Sequence, residues 1–327
     1  MSIKIIGEPP KVSRFATNFY SLDRAFANRA GEIGLPYGIA TEVFGPTGCG
    51  KSTLIYGLSG LVAKHMKKNI VLADFEGFDP DFLTVVLETA KFSGDVLYIS
   101  NPNDEEALDE LISQLGDKNN AVGILDSVGA ISPISERDGS LGEANMGRRA
   151  KLMAQFSRKG IHLIREGANK TIYIVNHIHP NIGFAGITTP GGETLKYLSS
   201  IRIRVKRKEE FPDGSYVLEG KVIKNRWGYR DGVFHVFMLA GTGLHLGMSA
   251  LYDGTIQGVV SRKKIVKIGE QSFGYMKHIV REAHDGNEEF FLPFLEALHE
   301  DSEPEADSGN GEAEDTGTES GVGEGSS

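Results

Sequence analysis

One short motif constrains the fold of this chain more than any other feature of its sequence. It fits the pattern G-x-x-x-x-G-K-[ST] at every fixed position, and its residues are Gly45, Pro46, Thr47, Gly48, Cys49, Gly50, Lys51 and Ser52. A β-type run at residues 39–44 precedes the motif, and helical periodicity follows it to about residue 67. Glycines let the backbone curl between strand and helix, so that N–H groups converge on phosphate oxygens. The motif therefore predicts a phosphate-binding loop at the start of a helix.

The motif also predicts how a triphosphate and its magnesium ion are held. Lys51 is expected to contact the β and γ phosphates, and Ser52 is expected to coordinate Mg²⁺. Asp126 follows an apolar strand at residues 121–125. A carboxylate at the carboxyl end of a parallel strand is where the second magnesium ligand of such a loop belongs. We interpret Cys49, inside the loop, as a small residue that fits there.

Polar residues follow two further strands. Glu76 comes after a buried strand, and a carboxylate there can orient and polarise a water molecule for attack on the γ-phosphate. Asp74, two positions earlier, is the competing candidate. Asn176 and His177 close a later apolar strand, where they either bind the γ-phosphate by hydrogen bonding or simply cap the strand.

The pattern of strands and helices predicts an α/β fold. From residue 39 to residue 176, unbroken apolar strands alternate with helices, which is typical of a mostly parallel sheet covered on both faces. Three strand-like segments then follow without helices between them, at residues 198–206, 216–224 and 233–239. The far edge of the sheet is therefore predicted to be antiparallel. A small α/β module follows at the C-terminal end.

Four regions are predicted along the chain. They are a short N-terminal arm (1–34), an ATPase core (35–247), a small α/β module (248–299) and a disordered acidic tail (300–327). The tail holds ten of the 44 acidic residues and no Lys or Arg, so the rest of the chain carries 34 acidic and 35 basic residues. Such a tail cannot bury enough apolar surface to fold. It either solubilises the protein or competes with phosphates for a basic groove.

Composition also limits the setting in which the protein acts. No apolar run approaches the roughly 20 residues needed to span a bilayer, so no membrane partner is expected. The sequence contains one cysteine, Cys49, which suits a reducing compartment. We therefore expect a cytoplasmic protein.

In their order along the chain, the motifs resemble those of the RecA recombinases of bacteria and phages. The matching segments are residues 45–53, 74–80, 124–128, 146–159, 191–197 and 221–226. The resemblance spans about residues 35–300 and implies a RecA-like P-loop ATPase core with ATP and Mg²⁺ as cofactors. It also implies an enzyme that forms filaments on single-stranded DNA, hydrolyses ATP in response to DNA, and promotes homologous pairing and strand exchange. The partners implied are single-stranded and duplex DNA, further copies of the chain, and single-strand-binding and loader proteins, in a bacterial cytosol or a phage-infected cell.

The resemblance assigns roles around the nucleotide. Thr53 extends the phosphate loop, Glu76 is the catalytic glutamate, and Asp79 and Phe82 contact and stack on adenine. Lys224 and Arg226 resemble a pair of cations that reaches the γ-phosphate bound by a neighbouring subunit, as an arginine finger does in trans. Without the resemblance, these two cations and Lys221 would be interpreted as a solvated basic edge.

The resemblance also places two DNA-binding loops, at residues 136–145 and 178–190. The residues implied in DNA binding are Met146, Gly147, Arg148, Arg149, Lys151, Arg158, Ile182, Gly183, Phe184, Gly191 and Gly192. The basic residues would neutralise phosphates without selecting a sequence. Ile182 or Phe184 would insert between bases as a wedge, or be an ordinary loop residue. The two glycines would form the C-terminal hinge of the second loop.

Some positions depart from the family pattern. His177 stands where glutamine is usual, which would add pH sensitivity near neutrality. Arg226 replaces a lysine, and the second loop has no Lys or Arg between residues 178 and 190. These departures indicate a divergent, phage-like member. Two alternative hypotheses remain at this stage: a recombination mediator that binds ATP but exchanges no strands, and a hexameric helicase motor.

Overall fold

The computed structural model describes residues 12–134, 147–166, 169–180 and 187–300. Its strands are β1 (Ser13–Phe15), β2 (Leu35–Tyr37), β3 (Ala40–Gly45), β4 (Asn69–Asp74), β5 (Val96–Tyr98), β6 (Asn120–Asp126), β7 (Thr171–His177), β8 (His179–Pro180), β9 (Ile187–Thr188), β10 (Ile201–Glu210), β11 (Tyr216–Asn225), β12 (Val233–Leu239), β13 (Gly243–Leu244), β14 (Ser261–Arg262), β15 (Val266–Ile268) and β16 (Gln271–Gly274). Its helices are α1 (Tyr20–Ala25), α2 (Lys51–Met66), α3 (Pro80–Thr89), α4 (Asp104–Gly116), α5 (Arg148–Arg165), α6 (Gly192–Leu198), α7 (Leu246–Gln257), α8 (Met276–His284) and α9 (Leu292–Glu300), with a 3₁₀ helix at Glu288–Phe291.

A nine-stranded sheet forms the centre of the molecule, in the order β13-β12-β11-β10-β3-β7-β6-β4-β5. The strands from β10 to β5 pair in parallel, and β10 to β13 pair antiparallel. The prediction of a mostly parallel sheet with an antiparallel far edge is therefore confirmed. One predicted strand boundary is wrong: Leu198 ends α6, and β10 begins at Ile201.

Helices cover both faces of the sheet, because successive side chains of its parallel strands alternate between two cores. In β4, Ile70 and Leu72 pack with the core beneath α2 and α3. Val71 and Ala73 of the same strand pack with the core beneath α4 and α5. Both sets of side chains are fully buried, which explains the unbroken apolar pattern of such strands.

Two smaller parts flank the sheet. The segment from α7 to α9 contains the three-stranded sheet β14-β15-β16, and its core includes Val217 of β11 and Phe237 of β12. At the N-terminal side, Phe26 packs against Phe234 of β12, with the ring centroids 6.0 Å apart. The small C-terminal α/β module is thus confirmed as part of the fold. The division into arm, core, module and tail stays a prediction, and the tail after residue 300 lies outside the described residues.

In the described part of the chain, no helix is long and apolar enough to cross a membrane.

Candidate nucleotide site and adjoining loops

The phosphate-loop motif connects β3 directly to α2, and its glycines are required by left-handed backbone angles or by close contacts. Gly48 and Gly50 have φ angles of 72° and 91°, which favour glycine. A Cβ atom at Gly50 would lie 2.1 Å from the hydroxyl oxygen of Tyr216. A Cβ atom at Gly45 would lie 2.3 Å from the carbonyl oxygen of Val205. The loop therefore packs tightly against β10 and β11, and its curled shape is built into the fold.

Within the loop, the lysine side chain folds back over its own backbone. The Nζ atom of Lys51 donates to the carbonyl oxygen of Pro46 at 2.9 Å, and the residue is 6% exposed. A bound phosphate would offer this ammonium group a charged acceptor in place of a neutral one. Cys49 is also buried, and burial raises the pKa of its thiol, so the thiol stays protonated at neutral pH.

Two acidic residues close neighbouring strands beside this loop. Asp126 of β6 is the register partner of Asp74 of β4 and is 2% exposed. Burial raises the pKa of Asp126 to about 6, and the charges of Asp74 and Glu76 also raise it, against hydrogen bonds from Ser52 and Tyr56. The Tyr56 hydroxyl donates to Oδ2 at 3.2 Å, whereas Oδ1 has no hydrogen-bond partner among the described residues.

A buried carboxylate oxygen without a donor fits a divalent cation. Ser52 and Asp126 would hold Mg²⁺ together with phosphate and water oxygens, since Mg²⁺ usually keeps few protein ligands. In the ranges that the structure describes, no group of three His, Cys, Asp or Glu side chains is placed to hold a metal ion unaided. The donor set therefore suits a cation that enters with the nucleotide.

Glu76 lies in a short chain of hydrogen bonds at the same sheet edge. Its Oε1 atom accepts from the Ser127 hydroxyl and lies 2.6 Å from Nε2 of His177. Burial acts to raise the pKa of Glu76, but the hydrogen bonds from Ser127 and His177 prevail and hold it below its usual value. The glutamate is thus ionised at neutral pH, and its side chain is 41% exposed, so water can reach it.

The structure separates the roles of the two competing acids. Asp74 accepts the backbone N–H groups of Glu76 (3.3 Å) and Gly77 (2.8 Å). Its carboxylate therefore shapes the turn that presents Glu76, and Glu76 is the more exposed of the two residues. The turn continues into α3, where Asp79 accepts from the backbone N–H groups of Asp81 and Phe82. The two predicted adenine contacts, Asp79 and Phe82, thus lie together in the first turn of α3.

At the end of β7, Asn176 is fully buried and His177 is partly exposed. They pair in register with Phe44 and Gly45, so they lie directly beside the phosphate loop. The sheet thereby brings the loop, Glu76, Asp126, Asn176 and His177 to one edge, as parallel strands do with their carboxyl ends.

Lys224 and Arg226 lie elsewhere. Lys224 pairs with Arg202, near the start of β10, whereas Gly45 contacts Val205. Val205 pairs with Gly220, so Lys224 is four residues farther along β11, or about 13 Å from the level of the loop. These two cations therefore stand well away from the phosphate loop of their own chain.

Both cations instead cap a helix. Lys224 Nζ donates to the carbonyl oxygens of Lys196 (2.5 Å) and Ser199 (2.7 Å), and Arg226 donates to that of Tyr197 (3.0 Å). These carbonyls form the C-terminal end of α6, which attracts positive charge. Burial lowers the pKa of Lys224 to about 8, and the charge of Arg226 adds to this.

The predicted DNA-binding elements meet at two helix starts. Gly147 precedes α5 with φ 99°, and Gly191 precedes α6 with φ 95°. A Cβ atom at Gly192 would lie 3.1 Å from Cβ of Ala150, so the N-terminal ends of α5 and α6 pack together. Strands β8 and β9 pair antiparallel at the base of the second loop. Both predicted loops therefore lead into the same region.

Not all predicted DNA contacts are grouped there. Arg148, Arg149 and Lys151 lie in the first turn of α5, whereas Arg158 lies ten residues on, about 15 Å along the helix. Lys151 and Arg158 are exposed. Four predicted positions lie outside the described residues: Met146, Ile182, Gly183 and Phe184.

Several polar residues of this region were not predicted from the sequence. Tyr56 follows Ser52 by one helical turn and Ser127 follows Asp126 directly, so their spacing could have indicated them. Glu42 and Arg202 form a buried ion pair, with 2.5 Å between Oε2 and Nε. No local signal could have found that pair, because its members are far apart in sequence.

A phosphate loop between a parallel strand and a helix, with a carboxylate on a neighbouring strand, defines a P-loop ATPase. The family model described as the RecA N-terminal domain matches residues 3–234. The protein RecA of Marinobacter nauticus is 30% identical over 270 residues, covering 79% of this chain and 74% of that protein. The protein RecA of Rhodopirellula baltica is 30% identical over 279 residues, covering 81% and 71%. The chain therefore belongs to the RecA family, and the resemblance drawn from its motifs is confirmed.

Among solved structures, a crystal structure of the RadB recombinase superposes with a TM-score of 0.49 at 18% identity, over 65% of this chain and 92% of that one.

Proposed function

We propose that this chain is an ATP-dependent DNA recombinase. It assembles on single-stranded DNA, hydrolyses ATP in response to that DNA, and promotes pairing and strand exchange with a homologous duplex. The observation that carries the proposal is the position of Lys224 and Arg226. Two basic side chains that are remote from their own phosphate loop, and that contact the C-terminal end of the helix following a predicted DNA loop, suit a site completed between subunits.

At the nucleotide, each residue has a separate task. Lys51 and the loop N–H groups bind the phosphates, and Ser52 and Asp126 hold the cation. When bound, Mg²⁺ neutralises charge on the β and γ phosphates. Glu76, ionised and accessible, orients a water molecule in line with the γ-phosphate, and Ser127 and His177 fix the direction of its carboxylate.

The subunit interface supplies the remaining charge. The γ-phosphate carries charge that develops further during transfer, and cations supplied in trans stabilise it. Lys224 and Arg226 would leave the carbonyl groups of α6 and contact the phosphate bound by the next subunit. Assembly and hydrolysis then depend on the same contact, and the interface is of the head-to-tail kind that builds an open filament.

DNA would bind where the two helix starts meet. Helix N-termini and basic side chains attract phosphates without reading bases, so recognition of homology is left to base pairing. Residues Arg148, Arg149 and Lys151 lie at this position, and Gly191 and Gly192 allow the second loop to turn into α6. We further propose that the protein acts in the cytoplasm.

A direct test measures ATP hydrolysis with and without single-stranded DNA. We expect wild-type turnover to rise on the order of tenfold or more at saturating DNA, because the trans cations enter the site on assembly. Lys51→Ala should lose nucleotide binding. Lys64→Ala, an exposed lysine on the same helix, is the matched control and should behave as wild type.

Three outcomes would contradict this proposal. An ATP turnover rate that does not change at saturating DNA would show that hydrolysis is not coupled to DNA binding, contrary to the proposal. Stimulated hydrolysis without strand exchange between homologous DNAs would instead support a mediator. Directional unwinding of a duplex by closed rings would support a helicase motor.

A further inference from the structure

Three buried polar side chains lie on adjacent strands beneath the phosphate loop. Glu42 of β3 and Asn176 of β7 are fully buried, and the Arg202 side chain of β10 is 13% exposed. Strands β10, β3 and β7 are neighbours in the sheet. Burying a carboxylate in a sheet is costly unless its partners satisfy it, so the contacts of Glu42 must be specific.

Each oxygen atom of Glu42 has one partner. Arg202 Nε donates to Oε2 at 2.5 Å, and Asn176 Nδ2 donates to Oε1 at 2.9 Å. One carboxylate thus fixes a side chain on the strand to either side of it.

These same two side chains hold the end of the second predicted DNA loop. Asn176 Nδ2 also donates to the carbonyl oxygen of Pro190 at 2.9 Å. An Nη atom of Arg202 donates to the Thr189 hydroxyl at 3.3 Å, and Thr189 is 7% exposed. Residues 189 and 190 immediately precede the hinge glycine Gly191. The C-terminal anchor of the loop therefore depends on two side chains that are both fixed by Glu42.

The same network reaches the nucleotide edge. Asn176 Oδ1 accepts the backbone N–H of His177 at 2.9 Å. His177 Nε2 lies 2.6 Å from the Glu76 carboxylate. A continuous series of contacts thus joins Glu76, His177, Asn176 and Pro190.

The Asn176 amide is the central link, and Glu42 determines its orientation. Its nitrogen contacts two acceptors, Glu42 and Pro190, and its oxygen contacts one donor, His177. A rotated amide would place its oxygen against the Glu42 carboxylate, which is repulsive. With the carboxylate in place, the amide connects the His177 backbone to the loop anchor at Pro190 in one orientation.

We propose that Glu42 is a positioning residue that couples the γ-phosphate edge of the sheet to the second DNA-binding loop. This role rests on the proposed function, because it requires that the loop bind DNA. Glu42 is fully buried, so it would touch neither nucleotide nor DNA, and it acts by holding Asn176 and Arg202 in one arrangement.

The test is Glu42→Gln, which keeps the shape of the side chain. The amide nitrogen of glutamine must face either Arg202 or Asn176, both of which are donors, so one contact fails. We expect the affinity for a fluorescent ATP analogue without DNA to stay within about twofold of wild type. DNA stimulation of ATP hydrolysis should fall about tenfold, and the DNA concentration for half-maximal stimulation should rise.

Two further variants separate coupling from stability. Asp23→Asn changes another buried carboxylate, which accepts from Thr17 and Asn18 far from both sites. It should lower the melting temperature and leave DNA stimulation intact. Thr189→Val removes the Arg202 contact at the loop and leaves the Glu42 pair in place, so it should reduce stimulation about threefold. If Glu42→Gln fails to fold, Thr189→Val takes its place as the test variant.

The outcomes distinguish this inference from the proposed function. A wild-type protein that DNA does not stimulate would overturn the proposed function, and the inference with it. If DNA stimulates ATP hydrolysis by wild type and stimulates Glu42→Gln or Thr189→Val equally, the inference alone would be overturned. A loss of stimulation in Asp23→Asn as large as in Glu42→Gln would assign the effect to stability and also overturn the inference.

Discussion

At the scale of single residues, Asp126 is suited to bind a cation but lowers the stability of the folded protein without one. The carboxylate is buried among other acids, and burial raises its pKa to about 6. At neutral pH it is ionised with one oxygen lacking a hydrogen-bond partner among the described residues. Such an arrangement destabilises the protein without nucleotide and metal, and it favours the binding of a cation. Such a conflict between function and stability is common at functional sites.

Asp126→Asn should therefore stabilise the nucleotide-free protein. Because the folded pKa lies above the ordinary 3.8, the native state binds more protons than the unfolded state between about pH 4 and pH 6. The stabilising contribution of protonated Asp126 is lost as pH rises through this window. At pH 7 we expect the free energy of unfolding of the variant to exceed that of wild type by roughly 1–3 kcal/mol. This difference should vanish toward pH 4.

Urea denaturation in the presence of a chelator measures this difference. Asp285→Asn, which removes an exposed carboxylate, is the control and should change little. The same Asp126 variant should lose the magnesium dependence of nucleotide binding. A variant that is less stable than wild type at pH 7 would contradict a destabilising role of the ionised Asp126 carboxylate.

At the scale of elements, the seven-residue helix α6 lies between two regions with proposed functions. Its N-terminal end lies at Gly191 and Gly192, the predicted hinge of the second predicted DNA loop, and its C-terminal carbonyls accept hydrogen bonds from Lys224 and Arg226. A change of partner by either cation therefore alters one end of a helix whose other end begins at the loop.

If Lys224 binds the phosphate of a neighbouring subunit as proposed, assembly should depend on pH. The pKa of Lys224 is lowered to about 8, chiefly by burial, with Arg226 and Arg202 adding to the effect and Glu42 opposing it. Lys224 must be protonated to bind a phosphate, so subunit association with a non-hydrolysable ATP analogue should weaken above about pH 8, by at most about tenfold per pH unit. Lys224→Arg stays charged and should abolish this dependence.

Sedimentation between pH 7 and 9.5 measures the effect. Lys221→Arg, on the same strand and paired with Asp231 at 3.0 Å, is the control and should keep the wild-type profile. Unfolding is not expected to cause the weaker association at high pH. Because the pKa of Lys224 is lowered in the folded subunit, that subunit becomes more stable as pH rises from about 8 to 10.5. Parallel loss of assembly in wild type and Lys224→Arg would contradict the prediction.

The elements also show what sequence alone could predict. The phosphate loop and its flanking strand and helix are local in sequence, and the buried parallel strands have an unmistakable apolar pattern, so both were predicted. The pairing of β3 with β10 and β7 is not local, and it alone brings Glu42 to Arg202 and Asn176. The capping of α6 by Lys224 likewise requires the fold. Contacts of this kind depend on strand order, which no short pattern specifies.

At the scale of the whole molecule, the central proposal is that the ATP site is shared between subunits. Lys51 and Glu76 lie at the carboxyl edge of the parallel strands, and Lys224 lies about 13 Å farther along the sheet. A single chain holds both halves of the site but does not bring them together. In the proposed head-to-tail assembly, the halves of different subunits would come into contact.

Mixing two inactive variants tests this claim most directly. Lys51→Ala lacks phosphate binding and Lys224→Ala lacks the trans cation, so each alone should show little DNA-stimulated hydrolysis. In an equal mixture, about a quarter of head-to-tail interfaces join an intact loop to an intact Lys224. We predict recovery toward about a quarter of wild-type activity, and none when Lys51→Ala is mixed with the double variant Lys51→Ala/Lys224→Ala. The claim would be contradicted if the first mixture hydrolysed ATP only at the average rate of the two single variants measured separately.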